Sequence, residues 1–249
     1  MSVSIDINCD LGEGCGNDAE LMRCISSANI ACGFHAGDEE TMRRTVDLAL
    51  EYNVAIGAHP SFPDRDNFGR TEMTLPHGQV FEIVSEQVRA LMNICESKGT
   101  RIRHVKPHGA LYNMAARDRE LAHTVAEAVA NIDKTLVFVG LAGSMMLEEA
   151  SAVGLRTASE VFADRTYQQD GSLTPRSRAD ALITDLQVCE EHVLQMVQTH
   201  TVTATNGTVF PIKPDTVCIH GDGPHAVRFA SMIRSSLENA GIEIKRPFT

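Results

Sequence analysis

The sequence predicts an α/β fold: an irregular β/α barrel of about seven parallel strands, with residues 1–249 forming a single domain. Three observations predict it. Short apolar runs alternate with longer amphipathic ones about seven times, a pattern that builds a parallel sheet with helical crossovers. Several strands are apolar on one face only, whereas an open parallel sheet covered on both sides has strands apolar on both. Acids and histidines crowd the downstream strand ends, where barrel enzymes hold their active sites.

The first strand is expected at residues 4–9. Ile5, Ile7 and Cys9 share one face there, and Asp6, Asn8 and Asp10 the other. Further strands are expected at 28–32, 54–58, 102–106, 135–139, 155–160 and 216–220. In 102–108, Val105 opposes His104, Lys106 and His108; in 216–222, Val217 and Ile219 oppose Cys218, His220 and Asp222. The apolar faces belong under helices and the polar faces in a barrel lumen. Helices are expected at 39–52, 78–98, 119–131, 144–152, 178–199 and 224–240, with Gly99, Gly154 and Gly241 as C-terminal caps. A hairpin is expected at 202–211, because Asn206-Gly207 favours a type I′ turn.

Composition narrows the function. Of the 249 residues, 43% are hydrophobic and 22% charged, enough apolar material for one sizeable core. The formal net charge is −11 and no run of Lys or Arg occurs, which argues against a nucleic acid or an anionic membrane as partner. No apolar stretch approaches the ~20 residues of a transmembrane helix. The opening Met-Ser-Val-Ser-Ile-Asp lacks the basic and apolar regions of a signal peptide, so a cytoplasmic location is expected. Seven cysteines without a C-x-x-C pair are expected to be buried, reduced thiols. There is no P-loop, Gly12-Glu-Gly14 lacks the third glycine of a dinucleotide site, and no G-x-S-x-G elbow occurs.

Read in order, the strand ends carry Asp10 and Glu13; His35 and Asp38; His59; Lys106 and His108; Glu160, Asp164 and Arg165; and His220, Asp222 and His225. With the deeper His104, six of the ten histidines lie there. Any one of them has a structural explanation: Asp10 or Asp38 could cap a helix, and Glu160 could pair with Arg165. Burying so many polar groups together is costly unless each finds a partner, so a ligand or catalytic site is predicted on this rim. His59, His108 or His220 with Asp10 could ligate zinc or manganese. His104-x-x-x-His108 could not, because residues four apart on a strand lie ~13 Å from each other.

At these residues the sequence resembles the LamB/YcsF family, whose members form the A component of bacterial ATP-dependent 5-oxoprolinases. The resemblance rests on Asn8-Cys-Asp-Leu-Gly-Glu13, Ser27-Ala-Asn-Ile-Ala-Cys-Gly-Phe-His-Ala-Gly-Asp38, Val54-Ala-Ile-Gly-Ala-His-Pro60 and His104-Val-Lys-Pro-His-Gly-Ala-Leu-Tyr-Asn113. It continues through Glu160-Val-Phe-Ala-Asp-Arg165, Asp170-Gly-Ser-Leu-Thr-Pro-Arg176 and His220-Gly-Asp222. Gly14, Cys15 and Gly223 depart from the family pattern without removing an ionisable group.

The resemblance implies a barrel similar to those of the glycoside hydrolase and deacetylase superfamily. It implies cleavage of 5-oxo-L-proline to L-glutamate coupled to hydrolysis of ATP to ADP and phosphate, in company with partner subunits B and C. ATP, with magnesium, is then a co-substrate, and no bound metal is firmly implied. Coupling is chemically reasonable, since a five-membered lactam closes with a large effective molarity. Phosphorylation of the amide oxygen would turn that oxygen into a leaving group. Without a P-loop in this chain, a partner is expected to handle much of the ATP.

Under this reading Asp10 or Glu13 is the general base and Lys106 stabilises an oxyanion or the substrate carboxylate. His108, with His35, His59 and His220, positions substrate or transfers protons. Asp38, Glu160 and Asp222 orient the histidines, while Arg165 and Arg176 meet carboxylate or phosphate. Lys106→Met is expected to lower turnover by roughly a hundredfold or more and to leave folding intact. The alternatives are a metal-dependent amide hydrolase such as a carbohydrate deacetylase, and a non-catalytic metabolite-binding subunit.

Overall fold

The computed structural model describes residues 3–223 and 225–246. Seven parallel strands close into a barrel: β1 (Ser4–Leu11), β2 (Ser27–Ala31), β3 (Ala55–His59), β4 (His104–Val105), β5 (Val137–Leu141), β6 (Arg156–Phe162) and β9 (Thr216–Ile219). Closure comes from β9, which pairs with β6 on one side (Glu160 with Thr216) and β1 on the other (Asn8 with Cys218). The hairpin strands β7 (Thr201–Thr203) and β8 (Val209–Pro211) stand apart, and β10 (Glu243–Ile244) adds to the start of β1.

Among the described residues eight α-helices accompany the strands: α1 (Asp18–Met22), α2 (Glu39–Glu51), α3 (His77–Ser97), α4 (Gly109–Arg117), α5 (Arg119–Ile132), α6 (Met145–Ala152), α7 (Leu186–Leu194) and α8 (Ala226–Asn239). The strands' outward faces meet these helices in a continuous apolar core that includes Ile7, Ile30, Ile56, Val105, Phe138, Val161 and Val217. The alternation read from β1 is realised. Ile5, Ile7 and Cys9 join this core, while Asp6, Asn8 and Asp10 bond to polar groups on other strands.

The lumen is not polar throughout. Val137, Val139 and Ala158 form a second apolar cluster on the β5–β6 side, with Val139 registered against Ala158. This explains why the end of the fifth strand carries no charge. Opposite it, Gly57 leaves room for the His104 imidazole: a Cβ at Gly57 would lie 2.1 Å from His104 Nε2.

Several expectations shift. The fourth strand shrinks to two residues, and Gly109–Arg117, where no element was expected, is a helix whose N-cap residue is His108. Residues 178–185 are irregular chain with a single bridge from Leu182 to Arg165 rather than the start of a helix, and α7 begins only after Asp185, whose side chain accepts from the Val188 amide. Pro224, expected as the first residue of the last helix, lies outside the described residues. The hairpin is present, but only Gly207 has a positive φ of 85°, so its turn is not type I′. Gly99, Gly154 and Gly241 all adopt the left-handed cap conformation. All seven cysteines are free; six are buried and Cys15 is exposed.

Candidate active site

At the downstream end of the barrel opens a cavity of about 630 Å³, lined among others by Asp10, Glu13, His59, Lys106, His108 and His220. The convergence inferred from strand parity is therefore a geometric fact.

The floor is a hydrogen-bonded stack. Deepest lies Asp6, which accepts from Ser26 and Ser27 at 2.7 and 2.8 Å and from Thr216 at 2.6 Å. One layer up, Asn8 donates to Thr216 and to Glu160 Oε1. Above it the Lys106 ammonium lies 2.9 Å from Asp10 Oδ1 and 2.9 Å from Glu160 Oε1, with Asn8 Oδ1 at 3.3 Å and Cys218 Sγ at 3.0 Å. Tyr112 donates to the other Glu160 oxygen at 2.7 Å. Burial alone would strip the Lys106 proton, but Asp10, Cys218 and Glu160 outweigh it and hold the ammonium well above the usual lysine range. Asp10, despite burial, is held well below the carboxylate range by His59 and Lys106. Lys106 is thus a fixed positive charge whose hydrogens are already engaged.

Beside this floor three imidazoles gather around Glu13. His35 and His108 stack in parallel with centroids 3.8 Å apart, and His59 meets both edge-on. Glu13 Oε1 lies 3.2 Å from His35 Nε2 and 3.5 Å from His108 Nδ1. Burial, then Asp10 and Asp222, push the Glu13 carboxyl well above its usual range. Burial and the neighbouring His59 drive the His35 ring down to about 3. His108 is likewise held well below an ordinary histidine by burial, His35 and His59. Among the described residues, two groups of side chains present metal-ligating atoms within 4.8 Å of one another: Glu13 with His35, His59 and His108, and Asp10 with Cys218 and His220.

The walls carry both arginines and acids, the latter including Glu72, Asp170 and Asp222. Arg70, Arg165 and Arg176 all face the cavity. Arg165 is buried and donates to the carbonyls of Thr174 and Ala181; burial and Arg176 lower its guanidinium to about 10. Arg70 reaches across the mouth to Asp222 at 2.5 Å.

The predicted residues are not all gathered here. Asp38 caps α2, accepts from the Thr41 amide and is exposed, so it orients no histidine. Glu160 holds Lys106 and Tyr112 rather than a histidine or Arg165. Asp222 pairs with Arg70; the partner of His220 is Asp164, at 2.8 Å. His225 lies at the exposed start of α8. His104 sits below the rim and donates to Asn29. Arg70, Tyr112 and Ser61 were not among the expected site residues. Lumen parity cannot find them, because Arg70 and Ser61 follow β3 in irregular chain and Tyr112 lies on a helix.

The LamB/YcsF family model matches residues 5–249. The chain belongs to the LamB/YcsF family. Two curated relatives from strains of Staphylococcus epidermidis, each named as the A component of 5-oxoprolinase, are 47% identical over 98% of this chain and 99% of the relative. Among solved structures, the lactam utilization protein of Thermus thermophilus is 42% identical with a TM-score of 0.92, over 99% of this LamB/YcsF chain and 100% of that one. A peptidoglycan deacetylase from Bacillus subtilis aligns with a TM-score of 0.50 at 12% identity, over 98% of this chain and 87% of that one, a likeness of fold alone. The blocks that carry the family resemblance in the sequence supply much of the floor, the imidazole cluster, and Arg165 and Arg176 of the wall.

Proposed function

We propose that this chain is the A component of an ATP-dependent 5-oxoprolinase. With partner subunits B and C it would convert 5-oxo-L-proline, ATP and water to L-glutamate, ADP and phosphate. The observation that carries the reading is the buried Lys106 ammonium clamped between Asp10 and Glu160 on the floor of a cavity walled by Arg70, Arg165 and Arg176. Arginines facing the cavity suit the carboxylate of a lactam substrate, and the relatives' names point to the same chemistry.

In this reading the arginines take the substrate carboxylate, or the phosphate of an activated amide. The engaged Lys106 stabilises negative charge developing above it through its field rather than through a free N–H. Glu13, His59 and His108 face the cavity and are placed to hold a water and move its proton at the lactam carbon, while Asp164 fixes the ring of His220 on the opposite side. ATP with magnesium would be handled largely by a partner, because this chain has no P-loop. A cytoplasmic location accords with seven free thiols and with no described helix being long and apolar enough to cross a membrane.

The test is ADP release on addition of 5-oxoproline, measured for the purified chain and then with candidate partners. We expect activity only in the reconstituted complex. Lactam-independent ATP turnover in the complex, or full activity of the chain alone, would reject the proposal.

A further inference from the structure

The three imidazoles around Glu13 are arranged in a way that proton transfer alone does not explain. Each turns its outer ring nitrogen to a fixed acceptor. His59 Nδ1 faces the Lys106 carbonyl at 2.7 Å, and His108 Nε2 faces the Phe68 carbonyl at 2.9 Å. His35 Nδ1 faces Ser61 Oγ at 2.9 Å, and that hydroxyl in turn donates to the Phe62 carbonyl, leaving its oxygen free to accept. These contacts anchor the outer nitrogens and turn the inner ones toward Glu13, with His59 Nε2 also 3.3 Å from Asp10 Oδ2.

Those inner nitrogens converge. His59 Nε2 and His108 Nδ1 are 2.9 Å apart. Glu13 Oε1 lies 3.2 Å from His35 Nε2, 3.5 Å from His108 Nδ1 and 4.0 Å from His59 Nε2. Ligands at zinc-type bond lengths of ~2.0–2.1 Å stand ~3.4 Å from one another at the corners of a tetrahedron. The measured separations scatter about that value. Outer N–H groups tied to carbonyl or hydroxyl oxygens are also what orients metal-bound histidines. The backbone is shaped to hold the cluster. Phe68 adopts a left-handed φ of 57° and delivers its carbonyl to His108, and a Cβ on the following Gly69 would lie 2.9 Å from both His108 and His35.

We propose that Glu13, His35, His59 and His108 form a mononuclear site for a divalent transition-metal ion of the zinc class. Four consecutive strand ends of the barrel contribute one ligand each. The second group, Asp10 with Cys218 and His220, is excluded by charge, because the Lys106 ammonium lies 2.9 Å from Asp10 and 3.0 Å from Cys218 Sγ. Three of the proposed ligands line the cavity, so an ion there would offer Lewis acidity to a carbonyl entering it. The inference goes beyond the lactam reading and does not depend on it, and its test needs no substrate.

The full chain, stripped with a chelator, is reloaded with zinc chloride or cobalt chloride and freed of excess ion by gel filtration. Elemental analysis should find one zinc per chain, and cobalt should give the intense visible bands of four-coordinate geometry. His35→Gln and His108→Gln should each lose the retained zinc, with circular dichroism checking the fold. Ser61→Ala touches no ligand atom and serves should those variants not fold; it should weaken zinc binding by roughly 10–100-fold. The proposal is overturned if the wild-type chain retains no ion and gives only weak six-coordinate cobalt bands, the result a shared proton between His59 and His108 predicts. It is equally overturned if folded His35→Gln and His108→Gln, or Ser61→Ala, bind zinc as the wild type does.

Discussion

The Lys106 ammonium and the Glu160 carboxylate lie 2.9 Å apart, both buried, and Asp10 approaches the same nitrogen at 2.9 Å. One cation thus compensates two buried anions. Lys106→Met would leave Glu160 without a cation and Asp10 with His59 alone, so the expectation that folding survives this change is revised. We expect a loss of about 3–5 kcal/mol, the scale for breaking a buried pair. Adding Glu160→Gln should restore part of that loss. Chemical denaturation of the single and double variants checks both statements, and an unchanged midpoint for Lys106→Met would contradict them.

Asp6 sets a pH dependence. Burial outweighs its hydrogen bonds to Ser26, Thr216 and Ser27 and raises its carboxyl from 3.8 to about 6. The folded state therefore holds a proton that the unfolded chain releases. Its contribution is complete below pH ~4 and is lost as pH rises through about 6. About two units correspond to about 3 kcal/mol. Urea unfolding of wild type and Asp6→Asn across this window should show the fall in the wild type and a flatter profile in the variant. Parallel profiles would exclude Asp6 as the source.

Arg70 and Asp222 bridge the cavity mouth, and both are partly exposed. Their pair should add little to stability, within about 1 kcal/mol. If Arg70 meets the substrate carboxylate, Arg70→Ala should raise KM for 5-oxoproline in the reconstituted complex by about tenfold or more, the scale of one charged hydrogen bond. Equal KM values with a lowered kcat would place Arg70 outside substrate binding.

Gly57 is a packing test. A methyl group there would meet the buried His104 ring at 2.1 Å. Gly57→Ala should destabilise by about 1–3 kcal/mol or more. Thermal unfolding that matches wild type would show that the imidazole can move.

The two-residue period of a strand is local, so the sequence alone determined which side chains enter the lumen. Asp6, Asn8 and Asp10 on β1, His104 and Lys106 through β4, and Cys218 on β9 were all legible by alternation. Left-handed glycines at helix ends were legible for the same reason: the constraint acts within one turn of chain. Which lumen residues meet is a different matter. That depends on the stagger of seven strands around the barrel, which brings Glu160 on β6 and Asp10 on β1 to the Lys106 that follows β4. Loop paths are decided later still, by packing. They bring Arg70 to Asp222, Asp164 to His220 and the Phe68 carbonyl to His108, and they leave Asp38 outside as a helix cap. Periodicity in the sequence states a direction for each side chain. Only closure of the barrel and the packing of its loops supplied the partner at the other end.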